Sequence, residues 1–81
     1  MWVRSQNKEN IHQIQGFSFC TKQNIATYKV ESATIMGMNL SGVEYSLGNY
    51  KSTERVLEVL DDIELTIRES NQNTVYQMPK E

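Results

Sequence analysis

The side chains best suited to chemistry are aromatic and basic residues near the ends of the predicted elements. Aromatic rings can stack on a nucleobase, and Arg or Lys can pair with phosphate. Small polar side chains beside them can bond ribose or base edges. We therefore predict a site for a small nucleotide-type ligand, built from two segments: Trp2, Arg4, Ser5 and Gln6 in the first, and Tyr50, Lys51 and Arg55 in the second.

Arg4 carries the most specific form of this hypothesis. Alternate side chains of a strand share a face, so Trp2 and Arg4 are predicted to lie on the same side. Arg4 would bind the anionic group, and Trp2 or Tyr50 would offer an apolar face nearby. The simpler interpretation places the aromatic rings in the core and leaves the basic residues as solvated charges, because aromatic residues dominate small cores.

The residue types that commonly serve in catalysis or metal binding do not form a recognisable site pattern in this sequence. His12 and Cys20 are the single His and Cys of the sequence, and a Cys–His pair would lack an orienting third group. We predict a surface strand position for His12 and a core or sheet position for Cys20. Carboxylates cluster on one helix face instead of converging on a metal, and the glycines are scattered. No catalytic residue, metal or cofactor is predicted.

Size and charge narrow the function classes further. A chain of 81 residues with 38% hydrophobic residues predicts one domain over residues 1–81 with a thin core, so part of the missing burial is expected from a homo-oligomer. The net charge of -2 supplies no basic field for general nucleic-acid binding. The first residues, MWVRSQNKEN, predict neither a signal peptide nor a membrane span. A cytoplasmic location is expected.

Hydrophobic periodicity predicts an α+β fold, in which a small antiparallel sheet of four to five strands fills residues 1–51 and one helix packs on it. The first strand is Met1–Ser5, and the second, Ile11–Cys20, is interrupted by a bulge or bend at Gly16. A turn is expected at Thr21–Asn24.

Beyond that turn, a common face is predicted for Ala26, Tyr28, Val30, Thr34, Met36 and Met38, in one long strand or in two strands broken near Ser32. After a turn at residues 39–42, a half-buried strand alternates, with its inward face formed by Val43, Tyr45 and Leu47. This strand leads to the helix.

The helix is predicted over residues 52–70, capped by Ser52 or Thr53. Its apolar stripe consists of Val56, Leu60, Ile63 and Ile67, widened by Leu57 and Val59. Leu65 lies amid the acidic opposite face, either as an ordinary exposed leucine or as a contact with another subunit or partner. Residues 71–81 form a tail with a short strand at Thr74–Met78, which can pair within its own molecule or with another copy.

Three segments carry a resemblance: MWVRSQ at residues 1–6, LGNYKSTERVLEVLDDI at residues 47–63 and VYQMP at residues 75–79. In these the chain resembles small uncharacterised proteins encoded by phages and prophages of Gram-positive bacteria. The resemblance implies the cytoplasm of a bacterial host. It also implies binding in preference to catalysis, since small phage proteins often act against host immunity, among them oligomeric sponges of nucleotide signals.

Two functional hypotheses follow. The first is a non-enzymatic homo-oligomer that captures a nucleotide-type immune signal, which the Arg and aromatic residues near the element ends favour. The second is a protein-interaction module that inhibits or adapts a host or phage protein through its acidic helix face or a sheet edge. The acidic net charge and the outward position of Leu65 favour the second.

Overall fold

The strands form two small sheets where one larger sheet was predicted. The computed structural model describes residues 1–69 and 73–81, and the elements of that part are β1 (Trp2–Arg4), β2 (Ile11–Gln13), β3 (Gly16–Gln23), β4 (Val30–Met38), β5 (Glu44–Tyr50), α1 (Thr53–Glu69) and β6 (Val75–Gln77). The terminal sheet has the order β2-β1-β6 and the central sheet the order β3-β4-β5. The α+β class is confirmed, and the single sheet of four to five strands is wrong.

The terminal sheet is organised around β1. Its neighbours are β2, which is antiparallel, and β6, which is parallel. Val3 at the centre of β1 is fully buried. The N–H of Gln6 donates to the carbonyl of Leu47 at 2.8 Å, which attaches this sheet to the central one. The C-terminal strand therefore pairs within its own molecule.

The interruption predicted within the second strand, Ile11–Cys20, is found, and it separates two strands of different sheets. β2 ends at Gln13 and β3 begins at Gly16, in different sheets. Between them Ile14 is 2% exposed, and its N–H donates to the carbonyl of Met1 at 2.7 Å. The bend thus carries the chain from one sheet to the other and fills the space between them.

The β3–β4 hairpin is longer than predicted. β3 continues to Gln23 and β4 begins at Val30, so the expected turn at Thr21–Asn24 and the expected strand from Ala26 are wrong. The N–H of Tyr28 donates to the carbonyl of Asn24 at 2.7 Å, which closes a six-residue loop over residues 24–29. Tyr28 has φ 57°, a left-handed conformation that costs a non-glycine residue about 1–2 kcal/mol.

β4 is one unbroken strand, and its buried face is the opposite of the predicted one. Ala33, Ile35 and Gly37 are buried, whereas Met38 is 41% exposed. Gly37 is required for close packing, because a Cβ atom there would lie 2.7 Å from Leu47 Cδ1 and 2.9 Å from Ile14 Cδ1. Ala33, Ile35 and Gly37 thus face the core, and Thr34 and Met36 face the other side.

A bulge in β5 changes the direction of its side chains. Ile35 pairs with Gly48 and the next residue, Met36, pairs with Ser46, so Leu47 is the extra residue. Leu47 is buried as predicted. Beyond the bulge the alternation restarts, which turns Tyr50 inward. The expected inward position of Val43 is wrong, since Val43 precedes β5 and is 47% exposed.

The helix packs on the central sheet, as predicted, and contacts all three of its strands. Ser52 is its cap, with Oγ accepting the N–H of Arg55 at 3.1 Å. The helix runs from Thr53 to Glu69, and the part of the prediction that falls on residues 70–72 lies outside the described residues.

The buried helix side chains are Val56, Val59 and Ile63, with Leu60 partly buried against them. Leu57 is 48% exposed and Ile67 is 55% exposed, so their assignment to the core is wrong. Ile67 follows Ile63 by about one turn on the same stripe, so its exposure shows that the last turn of the helix extends beyond the core.

The different burial of Ile63 and Ile67 predicts different losses of stability when each side chain is truncated. Ile63→Ala should lower the free energy of unfolding by about 2–5 kcal/mol, because it opens a cavity between helix and sheet. Ile67→Ala, the matched control, should change it by no more than about 0.5 kcal/mol. Urea unfolding of both variants tests the packing, and equal losses would contradict it.

Candidate functional site

An open groove of about 570 Å³ lies where four elements meet, and we call it the basic groove. They are the start of β4, the end of β5, the first turn of α1 and the segment after β6. The lining consists of Glu31, Ser32, Asn49, Tyr50, Lys51, Ser52, Arg55, Lys80 and Glu81. Three of the predicted site residues, Tyr50, Lys51 and Arg55, are thus brought together.

One wall of the basic groove is the C-terminal segment, which is held by side chains from distant parts of the sequence. Tyr50 Oη donates to the carbonyl of Pro79 at 2.8 Å. Gln6 Nε2 donates to the carbonyl of Lys80 at 2.7 Å, and Arg55 Nε donates to the main-chain oxygen of Glu81 at 2.7 Å. Three successive main-chain oxygens are therefore fixed.

Tyr50 forms the floor of the basic groove and offers no stacking surface. It is 2% exposed, and its ring covers Gly48, where a Cβ atom would lie 2.7 Å from the Tyr50 hydroxyl. Burial raises the pKa of Tyr50 to about 12, against the opposing effect of the Arg55 charge. The expectation that Tyr50 presents an apolar face to a ligand is therefore wrong.

The cations of the basic groove have no ion-pair partner among the described residues. The ion pair in that part of the chain joins Arg68 to Glu64 at 2.7 Å, on the exposed helix surface. Lys51, Arg55 and Lys80 line the groove without one. The N-terminus of α1 adds a partial positive charge at the same place.

Gln6 lies behind the basic groove and positions two of its walls. Its Nε2 donates to the carbonyl of Asn49 at 3.0 Å, and its Oε1 accepts the N–H of Asn49 at 2.8 Å. With the bond to Lys80, the amide joins the end of β5 to the C-terminal segment. Gln6 was predicted to contact a ligand, whereas its amide makes these hydrogen bonds within the protein.

The other predicted residues lie elsewhere. Trp2 and Arg4 share the outer face of the terminal sheet, as alternation predicts, and neither lines the basic groove. Arg4 Nε donates to the carbonyl of Lys8 at 3.0 Å. Ser5 is 5% exposed, and its hydroxyl bonds Asn7 Oδ1 at 2.6 Å inside the β1–β2 loop. The two predicted segments therefore do not form one site.

Trp2 lines a second groove, which we call the aromatic groove, with a volume of about 330 Å³. Its lining consists of Trp2, Ile11, His12, Gln13, Gln15, Asn39, Leu40, Ser41 and Tyr45. His12 and Tyr45 stack with ring centroids 3.8 Å apart. His12 is therefore half-buried against an aromatic ring and is not a plain surface residue. Cys20, predicted to be a core or sheet residue, lies in the sheet on β3, and its side chain is exposed.

Within residues 1–69 and 73–81, His, Cys, Asp and Glu side chains form no group of three or more that could hold a metal ion. In the same residues, no helix has the length and apolar character needed to cross a membrane.

Comparison of the chain with protein-family models, curated proteins and solved structures gives no match. The site must therefore be interpreted from its own geometry. The lining residues not predicted as site residues are Glu31, Ser32, Asn49, Ser52, Lys80 and Glu81. Lys80 and Glu81 were missed because nothing in the sequence places the segment after Pro79 beside the end of β5.

The burial of Tyr50 predicts a loss of stability at alkaline pH. Its pKa is raised from 10.0 to about 12, so between these values the unfolded chain ionises first and stability falls as pH rises. Burial and the Asp62 hydrogen bond also raise the pKa of Tyr76, which adds to the loss. Tyr50→Phe should reduce the alkaline loss, and at neutral pH should cost about 1 kcal/mol for the bond to Pro79.

Urea unfolding at a series of pH values up to about 12 measures this effect. Tyr28→Phe is the matched control, because Tyr28 is 79% exposed. A Tyr50→Phe variant with the same alkaline loss as the parent would contradict the buried position of this hydroxyl.

Proposed function

We propose that this protein binds a small anionic ligand of nucleotide type in the basic groove and releases it chemically unchanged. The observation that supports this most is the gathering of Lys51, Arg55 and Lys80 around one open groove, with no ion-pair partner among the described residues. The lining also contains the carboxylates of Glu31 and Glu81, so the three cations leave a small excess of positive charge, which favours an anion. The helix N-terminus favours negative charge at the same place.

The remaining lining supplies groups suited to a sugar or a base. Ser52 Oγ accepts the N–H of Arg55, which leaves its hydroxyl hydrogen to donate. Asn49 Nδ2 is bonded to Thr34 at 2.8 Å, which leaves its oxygen as an acceptor. The carboxylates of Glu31 and Glu81 can accept hydrogen bonds from sugar hydroxyls. The volume of about 570 Å³ lies in the range of small-molecule sites.

We propose capture without turnover because the residues that line the basic groove include no activated nucleophile. The lining contains neither His nor Cys. In the described residues neither Ser32 nor Ser52 donates to a neighbouring base. The proposed biological setting is that of a phage-encoded sponge for a nucleotide immune signal, acting as a homo-oligomer in the cytoplasm of a bacterial host.

Calorimetry with a panel of cyclic nucleotides and ADP-ribose derivatives tests the proposal. Lys51→Ala should weaken binding of the tightest ligand by about tenfold, because a hydrogen bond to a charged group contributes about 1.5–3 kcal/mol. Arg68→Ala is the matched control, since it removes a cation outside the groove. Arg4→Ala should likewise bind as the parent does, because Arg4 lies on the outer face of the terminal sheet.

Two results would contradict this assignment: no binding by any member of the panel, or equal affinities for Lys51→Ala and Arg68→Ala. The ligand recovered after denaturation should be chemically intact. An altered product would identify an enzyme and would contradict capture.

A second candidate function, a protein-interaction module that uses the acidic helix face, is favoured by a different observation. Leu57 and Leu65 are 48% and 50% exposed outside the buried stripe, among acidic residues. Leu65→Ser should then lose a partner that the parent retains in a pull-down from bacterial lysate, whereas Ile67→Ser should retain it. Equal retention by parent and Leu65→Ser would count against this function.

A further inference from the structure

The aromatic groove follows the open edge of the terminal sheet. Its lining includes the whole of β2, which is an outer strand in the order β2-β1-β6. The opposite wall is the β4–β5 turn, at residues 39–41. Main-chain groups of β2 that point away from β1 therefore point into the groove.

The pairing of β1 with β2 identifies those main-chain groups. The N–H of Ile14 donates to the carbonyl of Met1 at 2.7 Å, and the amino group of Met1 donates to the carbonyl of Ile14 at 3.1 Å. Bonded and non-bonded pairs alternate along an antiparallel ladder, so the next bonded residue of β2 is His12. Ile11 and Gln13, on either side of it, direct their N–H and C=O groups to the open edge.

The open edge offers one acceptor and one donor side by side, the Ile11 carbonyl and the Gln13 N–H. In the part of the chain that the structure describes, neither group has a hydrogen-bond partner outside the strand ladder. Beyond them the N–H of Gln15 donates to the carbonyl of Met38 at 2.7 Å, which closes the edge. Strands are usually about 3–10 residues long, so this edge suits a small flat ligand better than an added strand.

Rings and apolar side chains flank this edge on both faces of the sheet. Ile11 lies on the outer face with Trp2 of β1, and these side chains are 53% and 41% exposed. His12 points to the other face and stacks on Tyr45, with ring centroids 3.8 Å apart and an angle of 19° between the planes. A flat ring that continues the plane of the sheet therefore finds apolar surface above and below it.

The turn that forms the other wall is held in place before any ligand binds. Asn39 Oδ1 accepts the N–H of Ser41 at 3.0 Å, and Asn39 Nδ2 donates to Tyr45 Oη at 3.4 Å. The side-chain amides of Gln13 and Gln15 are exposed beside it, and within residues 1–69 and 73–81 they make no hydrogen bond. They add donors and acceptors for the hydroxyl groups of a sugar.

The aromatic groove is suited to an uncharged ligand. Its lining contains no Asp, Glu, Lys or Arg, and its volume of about 330 Å³ is at the lower end of the range for small-molecule sites. It shares no lining residue with the basic groove, and the two lie at opposite ends of β4. The two grooves are therefore separate sites with different ligand preferences.

We infer that the aromatic groove binds the base of a nucleoside. The Ile11 carbonyl accepts a hydrogen bond from the pairing edge of the base, and the Gln13 N–H donates to the adjacent acceptor. Nucleobases present a donor next to an acceptor on this edge, and protein aromatic rings stack on their faces. The His12 and Tyr45 rings lie on one side of the base and Ile11 on the other. This site does not depend on the proposed function of the basic groove.

Titration of the parent protein with adenosine, cytidine, guanosine and uridine tests the inference by backbone amide NMR. These nucleosides carry no phosphate, so they have no need of the cations of the basic groove. The N–H of Gln13 should move downfield with at least one of them, because it gains a hydrogen bond. The N–H of His12, already bonded to β1, and that of Arg55, bonded to Ser52 Oγ, should move far less.

A pair of variants at one position isolates the main-chain donor. Gln13→Pro removes the N–H that points into the groove and leaves the bonds to β1 in place, a substitution that edge strands tolerate. Gln13→Ala, the matched control, removes the same side chain and keeps the donor. Gln13→Pro should weaken nucleoside binding about tenfold, the effect of one hydrogen bond. Gln13→Ala should bind nearly as the parent does.

Three results would overturn the inference. They are a Gln13 N–H that no nucleoside moves, shifts confined to residues 49–55, and equal affinities for Gln13→Pro and Gln13→Ala. Binding of a blocked neutral tripeptide at Gln13, without binding of any nucleoside, would identify a peptide site and overturn it as well. If Gln13→Pro does not fold, Tyr45→Leu replaces it. Loss of this ring should weaken binding at least about fivefold, and an unchanged affinity would contradict the stacking.

Discussion

The attachment of the C-terminal segment is the constraint on which the terminal sheet and the basic groove both depend. β6 supplies the parallel neighbour of β1, and Met78, 1% exposed, closes the core beside it. Tyr76 Oη bonds Asp62 at 2.7 Å and so joins this segment to the helix. Gln6, Tyr50 and Arg55 then hold the residues that follow. Each bond contributes about 1 kcal/mol, and together they fix one wall of the groove.

Much of the fold follows from local patterns in the sequence. The helix, its cap at Ser52 or Thr53, the first strand and the interruption at Gly16 were predicted because each has a local signal. The face of β4 was predicted wrongly because both of its faces carry apolar residues. Side-chain size favours Met36 and Met38 for the core, whereas the close approach of Leu47 and Ile14 to Gly37 decides for the other face. That contact joins distant segments, so no local pattern reports it.

The candidate site, like the fold, was predictable only in the part that depends on neighbouring residues in the sequence. The junction of Tyr50, Lys51 and Arg55 was predictable, because a strand end and a helix start adjoin in sequence and place these residues together. The contribution of Lys80 and Glu81 was not, since it depends on a parallel pairing of Trp2 with Val75 across most of the chain. The β5 bulge also redirects Tyr50 from the surface to the floor. Composition identified suitable chemistry, and tertiary packing decided which residues share a groove.

The central claim is that the end of β5, the helix start and the C-terminal segment together form one anion-binding groove. The most direct measurement is the change in backbone amide NMR shifts on titration with ADP-ribose and with a cyclic nucleotide. We expect the changes to cluster at residues 49–55 and at Lys80 and Glu81, with those of Trp2 and Arg4 unmoved. Changes confined to the outer face of the terminal sheet, or no change at saturating nucleotide, would contradict the claim.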